Sequence, residues 1–141
     1  MSKDAIYVLH VEDNPDDVEL TRIAFKEAGF PHKVVVVNDG AAALDFLFAT
    51  GKHEGRDKGD TPALILLDLN LPKVHGLEVL RRLKADALLK HVLVVVLTSS
   101  SEDKDRNRAA ELGTNLYIQK PISFDSFAAV ARKVEELLAA L

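Results

Sequence analysis

Apolar residues in this chain come in short, dense runs rather than in strict alternation with polar ones. Ile6–Val11, Val34–Val37, Leu64–Leu67 and Val92–Leu97 are four such runs, and Leu116–Ile118 is a weaker fifth. Valine, isoleucine and leucine dominate them. A strand covered on both faces reads this way, so the runs predict a parallel sheet sandwiched by helices.

The segments between the runs carry helical spacing and helix punctuation. Asn14-Pro15-Asp16-Asp17 predicts a helix start, with Asn14 as N-cap, Pro15 at the first helical position and acids in the first turn. Val18, Thr21, Phe25 and Ala28 follow at helical spacing, and Gly29 stops the run. Asp39-Gly40 opens a second helix carrying Leu44, Leu47 and Phe48. Gly76 precedes a third with Leu77, Leu80 and Leu83. Glu102–Leu112 forms a fourth, closed by Gly113, and Ser123–Leu141 a fifth with Ser123 as its cap. Strand and helix therefore alternate five times. Right-handed crossovers favour a doubly wound α/β fold of the flavodoxin-like kind, (βα)5, with strand order 2-1-3-4-5 and a switch point between the first and third strands. Thr50–Pro62, with Gly51, Gly55 and Gly59, is the one long loop, and its length makes it a candidate for interaction.

Composition narrows the function. The chain has 141 residues, 48% of them hydrophobic, which suits one domain with a substantial core. A net charge of −4 gives no general pull toward nucleic acid or an anionic membrane. Without cysteine, disulfides, thiolate catalysis and zinc–thiolate sites are excluded. The apolar run after Met1-Ser2-Lys3-Asp4 is too short for a signal peptide or a membrane span, so a cytoplasmic location is expected.

In parallel α/β sheets, ligands bind at the carboxyl ends of the strands. Reading off those ends gives Glu12 and Asp13 after the first, Asp68 after the third, Thr98, Ser99 and Ser100 after the fourth, and Lys120 after the fifth. Taken singly, Asp13 is a capping acid, Asp68 a loop acid, Thr98 a strand-end residue and Lys120 a solvated charge. Jointly they differ. Asp13 and Asp68 leave the two strands that flank the switch point, and crowded carboxylates resist ionising unless a hard cation joins them. Carboxylate and carbonyl oxygens suit Mg²⁺. Thr98 and Lys120 then meet the oxygens of an incoming phosphoryl group, for which an aspartate is a known nucleophile.

Here the sequence resembles the response regulator receiver family, over nearly the whole chain from about Ile6. The matching pieces are Val11-Glu12-Asp13-Asn14, Leu66-Leu67-Asp68-Leu69-Asn70-Leu71-Pro72 with Gly76, Leu97-Thr98-Ser99 and Lys120-Pro121. The long loop, the Asp68–Pro72 wording and the absence of an output domain make it similar to small stand-alone regulators that serve bacterial phytochromes. The resemblance implies a single receiver domain over residues 1–141. It implies that Asp68 is the phosphoacceptor and that Glu12, Asp13, Asp68 and the Asn70 carbonyl hold Mg²⁺, Glu12 indirectly. Thr98 and Tyr117 become the switch pair, Lys120 the phosphate partner, and Lys120-Pro121 a cis peptide. Asn70 and Ser100 match positions that tune the rate of phosphate loss. Glu12 stands where aspartate is commoner, and both occur. The implied protein is not an enzyme but a phosphoacceptor that assists its own phosphorylation and dephosphorylation, with a sensor histidine kinase, of bacteriophytochrome type, as partner.

Three rival classes fit less well. A phosphatase of the haloacid dehalogenase type wants a second aspartate where Asn70 stands, and room for a substrate cap. A flavodoxin-like flavin carrier wants a phosphate-binding loop where Glu12-Asp13-Asn14-Pro15-Asp16-Asp17 would repel the anion. A degenerate docking receiver would not keep the acceptor, metal and switch residues intact. The helices suggest how output is made. The fourth carries only Ala109, Ala110 and Leu112 as apolar residues, so it is weakly held. On the fifth, Phe124, Phe127, Val130, Ala131, Val134, Leu137, Leu138 and Leu141 cover about half the circumference, more than one sheet contact needs. The surplus edge near Val130, Leu137 and Leu141 predicts a homodimer through the face of helix four, strand five and helix five.

Overall fold

The computed structural model describes residues 6–120 and 124–140. Its order is β1 (Tyr7–Val11), α1 (Pro15–Glu27), β2 (Lys33–Val37), α2 (Gly40–Phe48), β3 (Leu64–Leu67), α3 (Gly76–Lys84), β4 (Leu93–Thr98), α4 (Asp103–Glu111), β5 (Leu116–Gln119) and α5 (Phe124–Ala139). All four strand pairings are parallel and the sheet runs β2-β1-β3-β4-β5, the predicted arrangement. The sequence placed the strand ends within two residues of those seen. Val92 closes a short 3-10 turn before β4, and Thr98 is the last residue of that strand rather than the first beyond it.

Burial follows strand position. Every residue of β1 and β3 is buried, because both strands lie inside the sheet with helices on each face. The edge strands β2 and β5 are only partly covered, which is why the fifth run reads as weaker. Successive strand residues point to opposite faces. Leu9, Val11, Ile65, Leu67, Val94 and Val96 pack under α2, α3 and Ala109 of α4. Val8, Leu64, Leu66, Val95 and Leu97 pack under Phe25 of α1 and Val130, Ala131, Val134 and Leu138 of α5.

Helix ends obey the chemistry read from sequence. The Asn14 side chain accepts from the Asp16 and Asp17 N–H groups, at 2.9 and 3.4 Å, and Pro15 opens α1. Asp39 caps α2 through the Ala42 N–H at 2.6 Å. Gly29 and Gly113 take φ of +72° and +91° just beyond their helices, a region L-residues avoid. The cap predicted at Ser123 lies outside the described residues.

Two expectations change. The surplus edge assigned to Val130 is not free: Val130 is 3% exposed and belongs to the core beneath α5. Leu137 also packs partly against that core, while Leu141 is outside the described residues. The reason is that α5 packs on the sheet over Val8, Leu64, Leu66, Val95 and Leu97 and also lies alongside α1, so it needs a wider apolar stripe than a single sheet contact. The long segment 50–62 is not plain loop. It begins with a 3-10 turn over Gly51–His53 and is stapled down by Arg56. The Arg56 guanidinium stacks 3.9 Å from the Phe46 ring centre and donates to the Phe46 and Asp60 carbonyls and the Tyr7 hydroxyl. The Tyr7 hydroxyl itself donates to the Asp60 carbonyl at 2.7 Å.

Gly76, at the start of α3, lies where backbone crosses backbone. A Cβ there would sit 2.3 Å from the Asp68 carbonyl oxygen and 2.6 Å from the Leu69 Cα. Neither can yield as a side chain end would. Gly76→Ala should therefore lose about 2–3 kcal/mol of stability in urea unfolding. Gly55→Ala, with nothing within 4 Å of the added Cβ, should stay within about 0.5 kcal/mol of wild type. Equal midpoints for the two variants would contradict this packing account.

Candidate metal-binding acidic site

The site forms where β1, β3, β4 and β5 end together. The Glu12 N–H donates to the Val37 carbonyl and the Asp68 N–H to the Val11 carbonyl, at 3.0 and 3.1 Å. Both acids are thus fixed by strand hydrogen bonds that run one residue past the ladder. Glu12 is 1% exposed and Asp68 4%, whereas Asp13 is exposed. One oxygen from each of the three lies within 4.8 Å of the others. The Asn14 N–H donates to Glu12 Oε2 at 3.1 Å, and the Asn70 N–H to Asp68 Oδ1 at 3.1 Å.

Lys120 enters from the end of β5, its N–H bonded to the Thr98 carbonyl at 2.6 Å. Its ammonium reaches Glu12 Oε1 at 2.9 Å, Asp17 Oδ2 at 2.8 Å and Asp68 Oδ2 at 3.1 Å. Three carboxylates face this one cation, and Asp13 lies close to two of them. Burial lowers the affinity of Lys120 for its proton, but the hydrogen bonds to Asp17 and Glu12 and the Asp68 charge more than reverse that, holding its pKa above the ordinary value. Glu12 moves to about 7, pushed up first by burial and further by the Asp68 charge, with the Lys120 hydrogen bond opposing. A donor set of oxygens only, crowded and short of positive charge, fits a hard divalent cation.

Thr98 is fully buried at the end of β4, and its Oγ1 accepts from the Ser100 N–H at 3.3 Å. Tyr117, half-buried on β5, donates its hydroxyl to the Ser100 carbonyl at 3.2 Å. Asn70 is exposed beside Asp68. The structure thus brings Glu12, Asp13, Asp68 and Lys120 into one cluster, with Thr98 bonded to the Lys120 backbone. Lys120-Pro121, predicted to be cis, reaches outside the described residues.

Sequence reasoning missed two members. Asp17 read as a first-turn helix acid, yet it supplies the shortest of the three ion pairs to Lys120. Its place in the first turn of α1, just past the acids that end β1, was the available signal. His10 was absorbed into an apolar run. It is buried on β1 and held neutral, its pKa lowered to about 4 by burial and then by the Lys120 charge. Nothing local marks it as part of this neighbourhood.

A parallel five-stranded sheet with an acidic cluster and one lysine at its carboxyl edge defines a receiver. The family of the response regulator receiver domain matches residues 8–132, and the chain belongs to it. Among its relatives, the probable methanogenesis regulatory protein FilR2 of Methanothrix harundinacea is 41% identical over 136 residues, covering 96% of this chain and 83% of that protein. Response regulator Rcp1 of Synechocystis sp. is 41% identical over 113 residues, 80% of this chain and 75% of that one. The crystal structure of the Mn²⁺-bound form of Rcp1 superposes with a TM-score of 0.83, at 36% identity, over 92% of this chain and 91% of the other. That of the phosphorylated cyanobacterial phytochrome response regulator RcpA gives 0.85 at 36% identity, over 95% and 94%. The protein is therefore a receiver of two-component signalling with phytochrome-linked relatives, and its family consists of regulatory phosphoacceptors. This sets aside the phosphatase and flavin-carrier alternatives. The acidic trio together with the Mn²⁺-bound relative points to divalent-metal binding.

The two shifted acids and bases give a pH signature. The folded pKa of Glu12 is raised, so its contribution to stability is fully present below pH 4.5 and is lost as pH rises through about 7. His10 acts oppositely: its contribution is fully present above pH 6.5 and is lost as pH falls through about 4. The raw profile mixes the two, but a difference isolates Glu12. In metal-free buffer the stability of Glu12→Gln relative to wild type should climb between pH 4.5 and 7. A pH-independent difference in urea midpoints would refute the assignment.

Proposed function

We propose that Asp68 accepts a phosphoryl group from a phosphohistidine on a sensor histidine kinase, in a Mg²⁺-dependent reaction. The observation that carries this is the buried Asp68 carboxylate with the Lys120 ammonium 3.1 Å from it and two further carboxylates within 4.8 Å. Glu12, Asp13, Asp68 and the Asn70 carbonyl are the residues that would hold Mg²⁺. When bound, the ion neutralises acidic charge that would otherwise repel the phosphoryl donor.

An Asp68 carboxylate oxygen attacks phosphorus, forming a P–O bond as the P–N bond to the kinase imidazole breaks, and the imidazole leaves with the electron pair. Lys120, already an ammonium, turns part of its charge from the carboxylates to the phosphoryl oxygens. Thr98 donates its hydroxyl to one of them. Loss of phosphate is the reverse kind of step: water attacks phosphorus and Asp68 leaves as carboxylate, with Asn70 and Ser100 setting how water approaches. On this reading the chain is no enzyme acting on a separate substrate.

Output runs through the α4–β5–α5 face, with Thr98 and Tyr117 as the switch. That face also supports a homodimer, through the shallow groove of about 300 Å³ lined by Ile118, Gln119, Ala129 and Lys133 and through the part-exposed Leu137. The name borne by RcpA supports a phytochrome-type kinase as the donor. The reading places the protein in the cytoplasm with no nucleic acid or membrane as partner. No helix among the described residues is long and apolar enough to cross a membrane.

With acetyl phosphate and Mg²⁺, intact mass should show one added phosphate, labile to acid and base. Asp68→Asn should abolish it, and Lys120→Ala should slow labelling about 100-fold. Labelling of Asp68→Asn at the wild-type level, or of wild type undiminished in excess chelator, would refute the proposal. Thr98→Ala should still take up phosphate while losing the phosphorylation-dependent gain in partner binding.

The dimer is tested separately by sedimentation at micromolar concentration with and without label. A shift to the dimer mass that Leu137→Lys removes is expected. A monomer in every state would refute it.

A further inference from the structure

Asp17 is the third residue of α1, two places after the Pro15 that opens it. An acid at that position of a helix ordinarily reaches back to the N–H of the capping residue. Here that N–H is taken, because Asn14 donates it to Glu12 Oε2 at 3.1 Å. The backbone of Asp17 is held on both sides, its N–H by the Asn14 side chain at 3.4 Å and its carbonyl by the Thr21 hydroxyl at 2.8 Å. Its carboxylate is left to face the site, where Oδ2 accepts from the Lys120 ammonium at 2.8 Å.

The three acids around that ammonium are not equivalent. The side chains of Glu12 and Asp68 are 1% and 4% exposed, that of Asp17 21%. Glu12 and Asp68 belong with Asp13 to the trio whose oxygens lie within 4.8 Å of one another, and Asp17 stands outside it. Glu12 and Asp68 are also fixed by strand hydrogen bonds of their own backbone. Asp17 lies at a helix N-terminus, where water and the positive end of the helix dipole both stabilise a carboxylate that has lost its partner. An ammonium has three donors, and Lys120 directs them at three carboxylates. A phosphoryl group on Asp68 brings further oxygens and must displace one of them. The contact to Asp17 costs least to give up.

We propose that Asp17 is a positioning residue that competes with the phosphoryl group for Lys120, so that its carboxylate slows phosphoryl uptake and limits the phosphorylated fraction of the protein. This rests on the reading of Asp68 as phosphoacceptor and Lys120 as the cation that meets the phosphoryl oxygens. The P–O bond to Asp68 forms as the bond from phosphorus to the donor's leaving atom breaks, and the electron pair departs with that atom. Lys120 meanwhile turns from Asp17 to the phosphoryl oxygens. It is an ammonium throughout, so no proton moves. The transition state bears the loss of the Asp17 contact and the resting protein does not, so the ion pair raises the barrier to uptake. In the phosphorylated protein Lys120 has already turned, and Asp17 leaves the barrier to phosphate loss unchanged.

Intact mass follows phosphate gain from acetyl phosphate with Mg²⁺, and phosphate loss after the donor is removed. Asp17→Asn keeps the shape and a hydrogen-bond acceptor and removes the charge. It should gain phosphate about fivefold faster than wild type, lose it at the wild-type rate, and so hold a larger labelled fraction at steady state. Asp17→Ser, a second neutral residue suited to a helix start, should do the same. Asp17→Glu, which keeps the charge, should return uptake to within about twofold of wild type. Asp16 is exposed in the same turn, and Asp16→Asn removes the same charge from the same helix end. It should also stay within about twofold of wild type. In a Lys120→Ala background, where no ammonium is left to compete for, Asp17→Asn should give no gain. Uptake by both neutral Asp17 variants at the wild-type rate would overturn the competition. So would an equal gain in Asp16→Asn, or an undiminished gain in the Lys120→Ala background, since the acid would then act only by repelling the donor. Loss accelerated as much as uptake would overturn it too. A wild-type protein that takes no label at all would overturn the phosphoacceptor reading and the competition with it.

Discussion

One ammonium group holds the working end of this molecule together. Lys120 touches Glu12, Asp17 and Asp68 within 3.1 Å, and with Asp13 these acids would otherwise repel one another. Two of them are nearly sealed from water. Burying a carboxylate without a partner costs several kcal/mol, and breaking a buried pair by removing one member costs about 3–5 kcal/mol. The lysine offsets that only in part, since Glu12 is still pushed to about 7. The site is left short of positive charge, which is the condition that a divalent cation or a proton relieves.

The scaffold tolerates this because the rest of it is simple. β1 and β3 are buried along their whole length and lie side by side, so Val11 and Leu67 end at the same level. Polar residues that follow those strands must emerge together. Gly76 lets α3 start against the Asp68 backbone, closing one wall of the cradle with main chain. α2 and α3 are anchored by large apolar side chains, while α4 offers one buried alanine. Anchoring is thus apportioned by composition: the elements that position the acids are firmly packed, and α4 is loosely held.

The strand runs, the caps at Asn14 and Asp39 and the strand-end acids were legible in the sequence, because each is a local pattern of period or capping chemistry. Asp13, Asp68, Thr98 and Lys120 declared themselves by their places after apolar runs. Right-handed crossovers narrowed the sheet to a doubly wound one, and the flavodoxin-like order was chosen among the few that remain. Arg56 was not legible. Its role in pinning segment 50–62 depends on Tyr7, 49 residues away, and on the ring of Phe46.

What the sequence determined by itself was therefore the succession of elements and the kind of residue at each end. Both follow from backbone geometry acting over a few residues. What only the tertiary structure decided was which of those residues meet. Lys120 pairs with Asp17 across 103 positions and with Asp68 across 52, because helix phase and strand stagger bring their side chains to one point. Val130, surplus on a helical wheel, is buried because it belongs to the core that α5 forms with the sheet residues Val95 and Leu97 and their neighbours. A wheel records the faces of a helix, but the number of neighbours that helix must cover is set by the packing of the whole domain.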